Sequence, residues 1–302
     1  MPATHVTGSL SPSRAGDFMT CPLLYRFRTI DRIPEPPSPA MVRGTLIHAV
    51  LERLFDDPAP QRTLVHAVAM VPSQWGKLLA EHPELHDLFE GDANPHGANG
   101  VDQAEWLAGC AAFLDSYFRM EDPQYLEPDS RELKVSHDLE SGLTLRGIVD
   151  RIDVAPDGRI RVVDYKTGKS PNIRFEDKAM FQMKFYALVI WRMRGVMPSL
   201  LQLMYLGDGQ FLRYEPDEAD LLATERKLQA LWAAIAAATE AGDFQPRPNA
   251  LCGWCSYKAI CPAWGGTPPP MPVPPIPLEV EPIEVEPIEV EIRSAGPEDL
   301  PV

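Results

Sequence analysis

Residues 147–166 read G-I-V-D-R-I-D-V-A-P-D-G-R-I-R-V-V-D-Y-K, two stretches of alternating apolar and polar residues joined by a Pro-Asp-Gly turn at 156–158. The alternation predicts two β-strands, and the turn predicts a hairpin in which Gly158 takes the left-handed position of a three-residue loop. In that register, paired residues have numbers that sum to 314, so Asp150 lies opposite Asp164. A two-residue loop would instead place the two acids on opposite faces of the hairpin.

The same register decides which charged residues share a face. Lys166 follows Asp164 by two residues and lies on the same face, whereas Asp153 points the other way, toward neighbouring arginines. Two adjacent carboxylates repel each other unless a cation lies between them, and a hard divalent cation such as Mg²⁺ or Mn²⁺ is the usual occupant. The hairpin therefore predicts a metal site at Asp150 and Asp164, with Lys166 beside it.

The composition is that of an ordinary soluble globular protein. The chain has 302 residues, of which 45% are hydrophobic and 24% are charged, enough for one large domain or two small ones. No apolar run approaches the roughly 20 residues of a membrane helix, and the first residues lack the basic and apolar regions of a secretory signal. A cytoplasmic location without membrane association is therefore expected.

The net charge of −15 argues against a polyanionic partner, because phosphate binding usually requires a basic surface. However, residues 267–302 contain eight acids and one arginine, so they carry −7 and leave −8 for residues 1–266. Proline and like charges recur in this segment, which predicts a disordered Pro/Glu-rich acidic tail after a folded domain over 1–266. The tail could be a solvated spacer or a polyanion mimic, and an acidic body can still hold a basic groove.

The order of the remaining elements indicates an α/β domain. Periodicity and cap signals predict, in chain order, a helix from Ser11 to Cys21, a loop over 31–41, a helix over 45–55, a mainly helical stretch over 60–120 broken near 91–100, strands over 131–166, a buried helix over 175–194, a second hairpin over 200–214, and a helix over 218–241. This order predicts a mixed sheet of about four or five strands.

Several polar residues on these elements are candidates for the site. His48 lies at the edge of the apolar stripe of its helix, where a metal ligand or a capping residue would fit. Gln182 and Tyr186 lie four residues apart on one helix face, so both can point into the same groove, although a simply buried tyrosine is the alternative. Glu132, in R-E-L-K-V, is at most expected to orient another group.

Five cysteines occur, and three of them form the sequence C-G-W-C-S-Y-K-A-I-C at Cys252, Cys255 and Cys261. A C-x-x-C turn with a third cysteine close behind suits a metal site, which would require a fourth ligand. Cys21 is the better candidate, because Cys110 lies in an alanine-rich stretch and resembles a small buried hydrophobe. Spacing alone does not separate zinc from an iron–sulfur cluster, and a reduced set without a ligand or a redox pair is the alternative.

Taken together, these residues resemble the RecB-like exonucleases of the PD-(D/E)XK nuclease superfamily, in particular the iron–sulfur branch with AddB-type and CRISPR-associated nucleases. The resemblance covers residues 9–262. It rests on six motifs in order: S-P-S-R...C-P at 11–22, G-T-L-I-H at 44–48, G-I-V-D-R-I-D at 147–153, D-Y-K-T-G-K at 164–169, Q-M-K-F-Y at 182–186, and the three closing cysteines. Each motif alone is weak, but six in order are specific.

The resemblance implies a restriction-endonuclease-like fold, with a central mixed β-sheet flanked by helices and an N-terminal or inserted helical layer. It implies that His48, Asp150 and Asp164 hold the metal. The two aspartates and Lys166 would be catalytic, with the lysine activating or orienting the attacking water. The cofactor would be Mg²⁺ or Mn²⁺.

It also implies that Gln182 and Tyr186 line the DNA groove. A 4Fe–4S cluster, with zinc as the alternative, would join the two ends of the domain through four ligands: Cys21, Cys252, Cys255 and Cys261. The sequence T-G-K-S at 167–170 lacks the upstream glycine of a phosphate loop, since position 163 is a valine, so no ATP site is expected.

The expected function is a metal-dependent DNA exonuclease that hydrolyses phosphodiesters, acting on single-stranded DNA ends in DNA repair or recombination. The competing hypothesis is a non-catalytic DNA-binding or assembly module that works with a separate helicase. The presence of all four residues expected at the catalytic centre, His48, Asp150, Asp164 and Lys166, disfavours it. A zinc-stapled interaction protein is a third possibility.

Overall fold

The computed structural model describes residues 8–89, 102–172 and 176–272, apart from the side chains of 177 and 178. Its strands are Gly8–Leu10 (β1), Ser130–Asp138 (β2), Leu143–Val154 (β3), Ile160–Lys166 (β4), Leu200–Tyr205 (β5) and Gln210–Tyr214 (β6). Its α-helices are Pro12–Thr20 (α1), Pro22–Tyr25 (α2), Pro39–Leu54 (α3), Leu64–Glu81 (α4), Gln103–Ala108 (α5), Cys110–Met120 (α6), Glu176–Arg194 (α7) and Glu218–Ala241 (α8). The predicted break near 91–100 lies outside the described residues.

The strands form one mixed sheet, in which β1, β3, β4, β5 and β6 pair in that order. β2 lies off this path and also pairs with β3. β1 and β5 run parallel to their neighbours β3 and β4, and the remaining pairs are antiparallel. The predicted mixed sheet flanked by helices is therefore confirmed. The predicted number of four or five strands is wrong, because the described sheet has six. At three residues, β1 is too short to show a periodicity, and only its pairing with β3 defines it.

The β3–β4 hairpin has the register that the sequence predicted. The ladder pairs Arg151 with Val163, so paired numbers sum to 314. Gly158 has a φ of +83°, the left-handed conformation expected at the end of a three-residue loop. Asp150 and Asp164 are the next two residues beyond the last pair of the ladder, and they lie opposite each other at the end of the hairpin.

Two hydrophobic cores lie on the two faces of the sheet. In β4, Ile160 and Val162 pack into the core that contains α1, α2, α7 and α8. The next residues on the other face, Val163 and Tyr165, pack into a second core with α3, α4, α5 and α6. This alternation puts Asp164 on the same face as Val162. The helix α7 is buried along most of its length, as its apolar sequence predicted.

The helix boundaries show where local signals were sufficient. Ser11 caps α1, as predicted, by accepting a 3.3 Å hydrogen bond from the backbone N–H of Arg14. The helix α3 begins at Pro39, six residues before the predicted start, because Ser38 caps it and proline suits the first helical turn. Among the described residues, no helix is long and apolar enough to cross a membrane.

The packed part of the chain extends past residue 266. The backbone carbonyl of Pro269 accepts a hydrogen bond from Arg26, and Met271 packs against the first core. Residues 273–302, most of the predicted acidic tail, lie outside the described residues.

Candidate active site

Four elements contribute polar side chains to one site at the end of the β3–β4 hairpin. These elements are α3, the neighbouring strand β2, the hairpin itself, and α7. Their side chains form two linked sets of short contacts, made by His48, Glu132, Asp150, Asp164, Lys166, Gln182 and Tyr186.

His48 is oriented by the backbone of the strand that carries Asp164. Its Nε2 lies 2.8 Å from the carbonyl oxygen of Tyr165. Because a carbonyl only accepts, Nε2 must carry the proton and donate it. Nδ1 of His48 then faces Asp150, whose Oδ2 lies 3.4 Å away, and is the nitrogen available to a metal.

Three of these residues offer ligand atoms close enough to share a cation. A nitrogen of His48 and a carboxylate oxygen from each of Glu132 and Asp150 all lie within 4.8 Å of one another. Metal–ligand distances of about 2.0–2.6 Å fit such a group after a small contraction. The group adjoins an open cavity of about 480 Å³ that is also lined by Glu52. The residues present therefore fit a divalent cation with nitrogen and oxygen ligands.

The predicted ligand Asp164 is not part of this close group. Its Oδ2 lies 2.6 Å from the Nζ of Lys166, and its Oδ1 accepts a 2.9 Å hydrogen bond from Gln182. Because an uncompensated charge in the interior is destabilising, the buried carboxylate of Asp164 pairs with the donors nearest to it. The role of Asp164 as a metal ligand stays a prediction.

Glu132 is the residue that sequence reasoning set aside. It has a φ of +44°, a left-handed conformation that is rare for a residue with a side chain and costs about 1 kcal/mol or more. The antiparallel register of β2 with β3 places it opposite Asp150. Two strands therefore each present an acid to His48. The signal that could have found Glu132 is the β2–β3 register, which the three-residue loop at 140–142, with its left-handed Gly142, fixes in the same way as the β3–β4 turn.

On the other side of Asp164, the two residues predicted to line the DNA groove, Gln182 and Tyr186, form hydrogen bonds with the site. Lys166 donates a 3.0 Å hydrogen bond to Oε1 of Gln182. The amide of Gln182 donates to Asp164, and it lies 3.3 Å from the hydroxyl of Tyr186. The spacing of four residues on α7 brings Gln182 and Tyr186 together, as predicted.

Glycine at position 147 makes room for this tyrosine. A Cβ atom added to Gly147 would lie 2.6 Å from Cε1 of Tyr186, which is closer than real carbon atoms approach. The end of β4 is braced in a similar way, because the backbones of Gly168 and Gly207 touch and form a 3.2 Å hydrogen bond. Gly147 and Gly207 thus allow close approach rather than an unusual φ.

The charges of the site shift the pKa values of its members. Burial opposes the charge of His48, but Asp150, Asp164 and Glu132 outweigh it and raise its pKa to about 9. Burial and the charge of Asp150 raise the pKa of Glu132 to about 7. They also raise the pKa of Asp164. Crowded carboxylates of this kind release protons when a cation binds among them.

Lys166 has a different environment. Burial lowers its pKa, but the charge and hydrogen bond of Asp164 and the charge of Asp150 together outweigh burial, and the net pKa is raised above the ordinary value. The amine therefore stays protonated at neutral pH, so it can donate hydrogen bonds and stabilise negative charge but cannot accept a proton.

A buried ionic network supports the site from behind. Asp153 points away from Asp150, as predicted, and pairs with Arg151 at 3.0 Å and with Arg161 at 2.7 Å. Arg151 is 1% exposed and donates a 2.6 Å hydrogen bond to the hydroxyl of Tyr165. This network fixes the residue whose carbonyl orients His48.

The cysteines lie far from this site along the chain. Four of them line one cavity of about 250 Å³ between the end of α1 and the C-terminal turns: Cys21, Cys252, Cys255 and Cys261. Backbone N–H groups of Arg247 and Asn249 lie 3.3 Å from the sulfurs of Cys21 and Cys252. Among the described residues, no three cysteine sulfurs lie within 4.8 Å of one another. Cys110 is buried in the second core, as predicted.

Comparison with known proteins defines the class of this site. Residues 9–262 match the family model of the PD-(D/E)XK nuclease superfamily. The match covers most of the chain, and the chain therefore belongs to the PD-(D/E)XK nuclease superfamily.

Two phage proteins are similar in sequence. The chain is 24% identical over 285 residues to the gene 69 protein of Mycobacterium phage L5, covering 84% of this chain and 96% of that protein. It is 26% identical over 197 residues to the gene 69 protein of Mycobacterium phage D29, covering 62% and 70%.

The fold is similar to a crystal structure from Eubacterium rectale described as that of a candidate exonuclease. The TM-score is 0.51 with 11% sequence identity, and the match covers 84% of this chain and 90% of that one. At this identity, the similarity concerns the fold alone.

Proposed function

We propose that the protein is a metal-dependent DNA exonuclease that hydrolyses phosphodiesters at single-stranded DNA ends, in DNA repair or recombination. The observation that carries the proposal is the junction of two sets of contacts at the hairpin. The metal-binding group of His48, Glu132 and Asp150 lies on one side, and the Asp164–Lys166–Gln182 set lies on the other. A cation site beside a fixed ammonium suits the hydrolysis of an anionic ester.

The reaction requires a deprotonated water and neutralisation of the charge that develops on the phosphate oxygens. A bound Mg²⁺ or Mn²⁺ lowers the pKa of water and neutralises phosphate charge. His48, Glu132 and Asp150 would hold that cation, with Asp164 as a further ligand. One or two ions could serve.

Lys166 is assigned to the phosphate. Because its amine stays protonated, it supplies a positive charge and hydrogen-bond donors for the phosphate or for the water that attacks it. Asp164 and Gln182 hold the ammonium from two sides, so its position is fixed before the substrate binds. Tyr186 extends the same face of α7 along the groove.

The cysteines are assigned to a structural 4Fe–4S cluster. The motif supports this assignment, as do the shared cavity and the two N–H groups that face sulfurs, because thiolates bound to a cluster accept such hydrogen bonds. A zinc ion with Zn–S distances of about 2.3 Å would require the sulfurs to lie about 3.8 Å apart. In a 4Fe–4S cluster each cysteine binds a different iron, so the sulfurs can stay farther apart than around one zinc ion. Zinc is therefore the second choice.

The catalytic proposal is tested with end-labelled single-stranded DNA and Mn²⁺. The wild-type protein should shorten the DNA, and Asp164→Ala and Lys166→Ala should each abolish the activity, because they remove the two charges nearest the proposed phosphate. Asp157→Asn, in the exposed turn of the same hairpin, is the matched control and should retain it.

Activity that is unchanged in Asp164→Ala and Lys166→Ala would overturn the assigned site. A protein that binds DNA and a helicase but cuts nothing with Mg²⁺ or Mn²⁺ would instead favour the non-catalytic module.

The cluster is tested separately. Protein purified without oxygen should be brown and contain about four iron and four sulfide ions per chain. Cys252→Ser should lose them, whereas Cys110→Ser should not. One zinc per chain with no visible absorption would overturn the cluster.

A further inference from the structure

A groove leaves the site on the side of Lys166, away from the metal-binding group. It has a volume of about 620 Å³ and is bounded by the start of α1, by β3, by the end of β4 and by α7. Lys166, Gln182 and Tyr186 line its inner end, so it is continuous with the proposed catalytic site.

The lining of this groove is basic, although the protein is acidic. Among the described residues, its charged members are Arg14, Arg146 and Lys166, and no carboxylate belongs to the lining. The whole chain carries −15. An exclusively positive lining in such a protein indicates that the groove receives an anion.

Arg14 and Arg146 reach the groove from different elements and have no described acid to neutralise them. Lys166 pairs with Asp164, but neither arginine forms an ion pair with a described residue. The guanidinium of Arg14 is held by Ser9, whose hydroxyl lies 3.3 Å and whose carbonyl lies 3.5 Å from Nη1. The two arginines repel each other, and burial together with this repulsion lowers the pKa of Arg14. An anion between them would relieve that repulsion.

Apolar surface lies among these cations. Ile148 is 46% exposed, although it lies in a central strand, and Met19 and Phe181 also line the groove. An exposed isoleucine beside two arginines, with further apolar groups in the lining, matches a single strand, whose unpaired bases can contact them. A duplex presents mainly its phosphates to a protein surface and would leave this apolar surface uncovered.

We propose that this groove is the track for a single strand of DNA, and that Arg14 and Arg146 bind phosphates of that strand on one side of the phosphate at Lys166. The inference rests on the proposed function, because it takes the strand in the groove to be the one that is cut. It adds two residues that no catalytic step requires and that act on substrate binding alone.

The test measures binding without catalysis. Fluorescence anisotropy of a labelled oligothymidylate in EDTA gives Kd at several salt concentrations for the full chain. Arg14→Ala and Arg146→Ala should each weaken binding roughly tenfold at low salt and lower the slope of log K against log salt by about 0.7. Arg14→Lys should keep the wild-type slope, since the charge remains. Arg159→Ala removes an exposed arginine in the β3–β4 turn and should bind like the wild type.

Thermal melting of each variant separates lost contacts from lost folding, and Arg146→Gln serves if Arg146→Ala melts early. Wild-type Kd and slope in both folded arginine variants would overturn the inference, even if the protein cuts DNA. Equal loss in Arg159→Ala would also overturn it, because binding would then follow net charge. Intact, arginine-dependent binding in a protein that cuts nothing would overturn the nuclease proposal and leave this groove in place.

Discussion

Two openings lie beside the aspartate pair Asp150 and Asp164. One opening has acidic side chains in its lining, whereas the charged residues that line the other are basic. One opening is lined by His48, Glu52 and Glu132 and adjoins the group that fits a divalent cation. The other is lined by Arg14, Arg146 and Lys166, all of which are basic. Asp150 contacts the first set and Asp164 the second. The difference teaches that one hairpin can present two neighbouring acids to different surroundings, one beside a group that fits a cation and one beside basic side chains.

The comparison also shows why the net charge is a poor guide to the charge of one groove. A charge of −15 describes the whole chain, whereas binding depends on the charges within about one Debye length, about 10 Å, of the ligand. The basic groove is small and local. The acidic remainder lies elsewhere on the chain.

The largest effect should come from Asp150, which belongs to the metal-binding group and lies opposite Asp164. Asp150→Asn removes a negative charge but keeps an oxygen for the 2.7 Å hydrogen bond from the backbone of Tyr165, so the fold should persist. We expect kcat/KM for DNA to fall on the order of 10³-fold, and the rise in Tm on adding Mn²⁺ to disappear. Steady-state kinetics and thermal melting check this. Asp157→Asn is the control, and a full Mn²⁺ response in Asp150→Asn would contradict the metal assignment.

The next effect should separate the two openings. Glu132→Gln is expected to weaken Mn²⁺ binding about 10- to 100-fold, with activity recovered at high Mn²⁺ and DNA binding in EDTA unchanged. Titration of activity with Mn²⁺ and anisotropy measure the two properties. Glu52→Gln, in the same opening but outside the ligand group, should change the Mn²⁺ requirement little. An equal response of both variants would show that Glu132 acts through charge alone.

A packing change should disturb the basic opening without touching a charge. Gly147→Ala places a methyl group 2.6 Å from the ring of Tyr186 and should cost about 1–3 kcal/mol of the free energy of unfolding. It should also weaken DNA binding, because the ring must move. In a double-mutant cycle with Tyr186→Ala, urea unfolding should show that the two costs are not additive. Additive costs would contradict the close contact.

The smallest expected effect is the pH dependence of the metal-free protein. The pKa of His48 is about 9 in the folded protein against 6.5 as its ordinary value, so its stabilising contribution is fully present below pH 6.5 and is lost as the pH rises through 9. With the side chain 26% exposed, solvent screening limits the loss to roughly 1 kcal/mol.

Urea unfolding in EDTA at pH 6 and pH 9 measures this loss, and His48→Asn should reduce the difference between the two values. An unchanged difference in His48→Asn would assign the pH dependence to other groups.

Local sequence patterns predicted the hairpin and most helices. The left-handed Gly158 in its three-residue loop fixed the register, and α8 has the predicted bounds. Capping at Ser11 was also predicted, because each of these features depends on residues close together in the chain. The family resemblance added the expected site residues and the fold.

Contacts between distant segments could not be predicted in the same way. Glu132 and Asp150 meet His48 only because α3 packs against the sheet, and residues 48 and 132 are far apart in the chain. The strand β1 is three residues long and exists only by pairing with β3. Arg14 and Arg146 are 132 positions apart in the chain, and nothing local to either marks the other.

By itself, the sequence predicted that Asp150 and Asp164 lie opposite each other and that Lys166 shares their face, because a three-residue turn with Gly158 at its left-handed position and the two-residue period of a strand give this arrangement. Only the tertiary structure decided that Glu132 joins the metal-binding group and that Arg14 and Arg146 line one groove. Those placements depend on how α3 and α1 pack against the sheet, and packing is set by the whole core rather than by neighbouring residues.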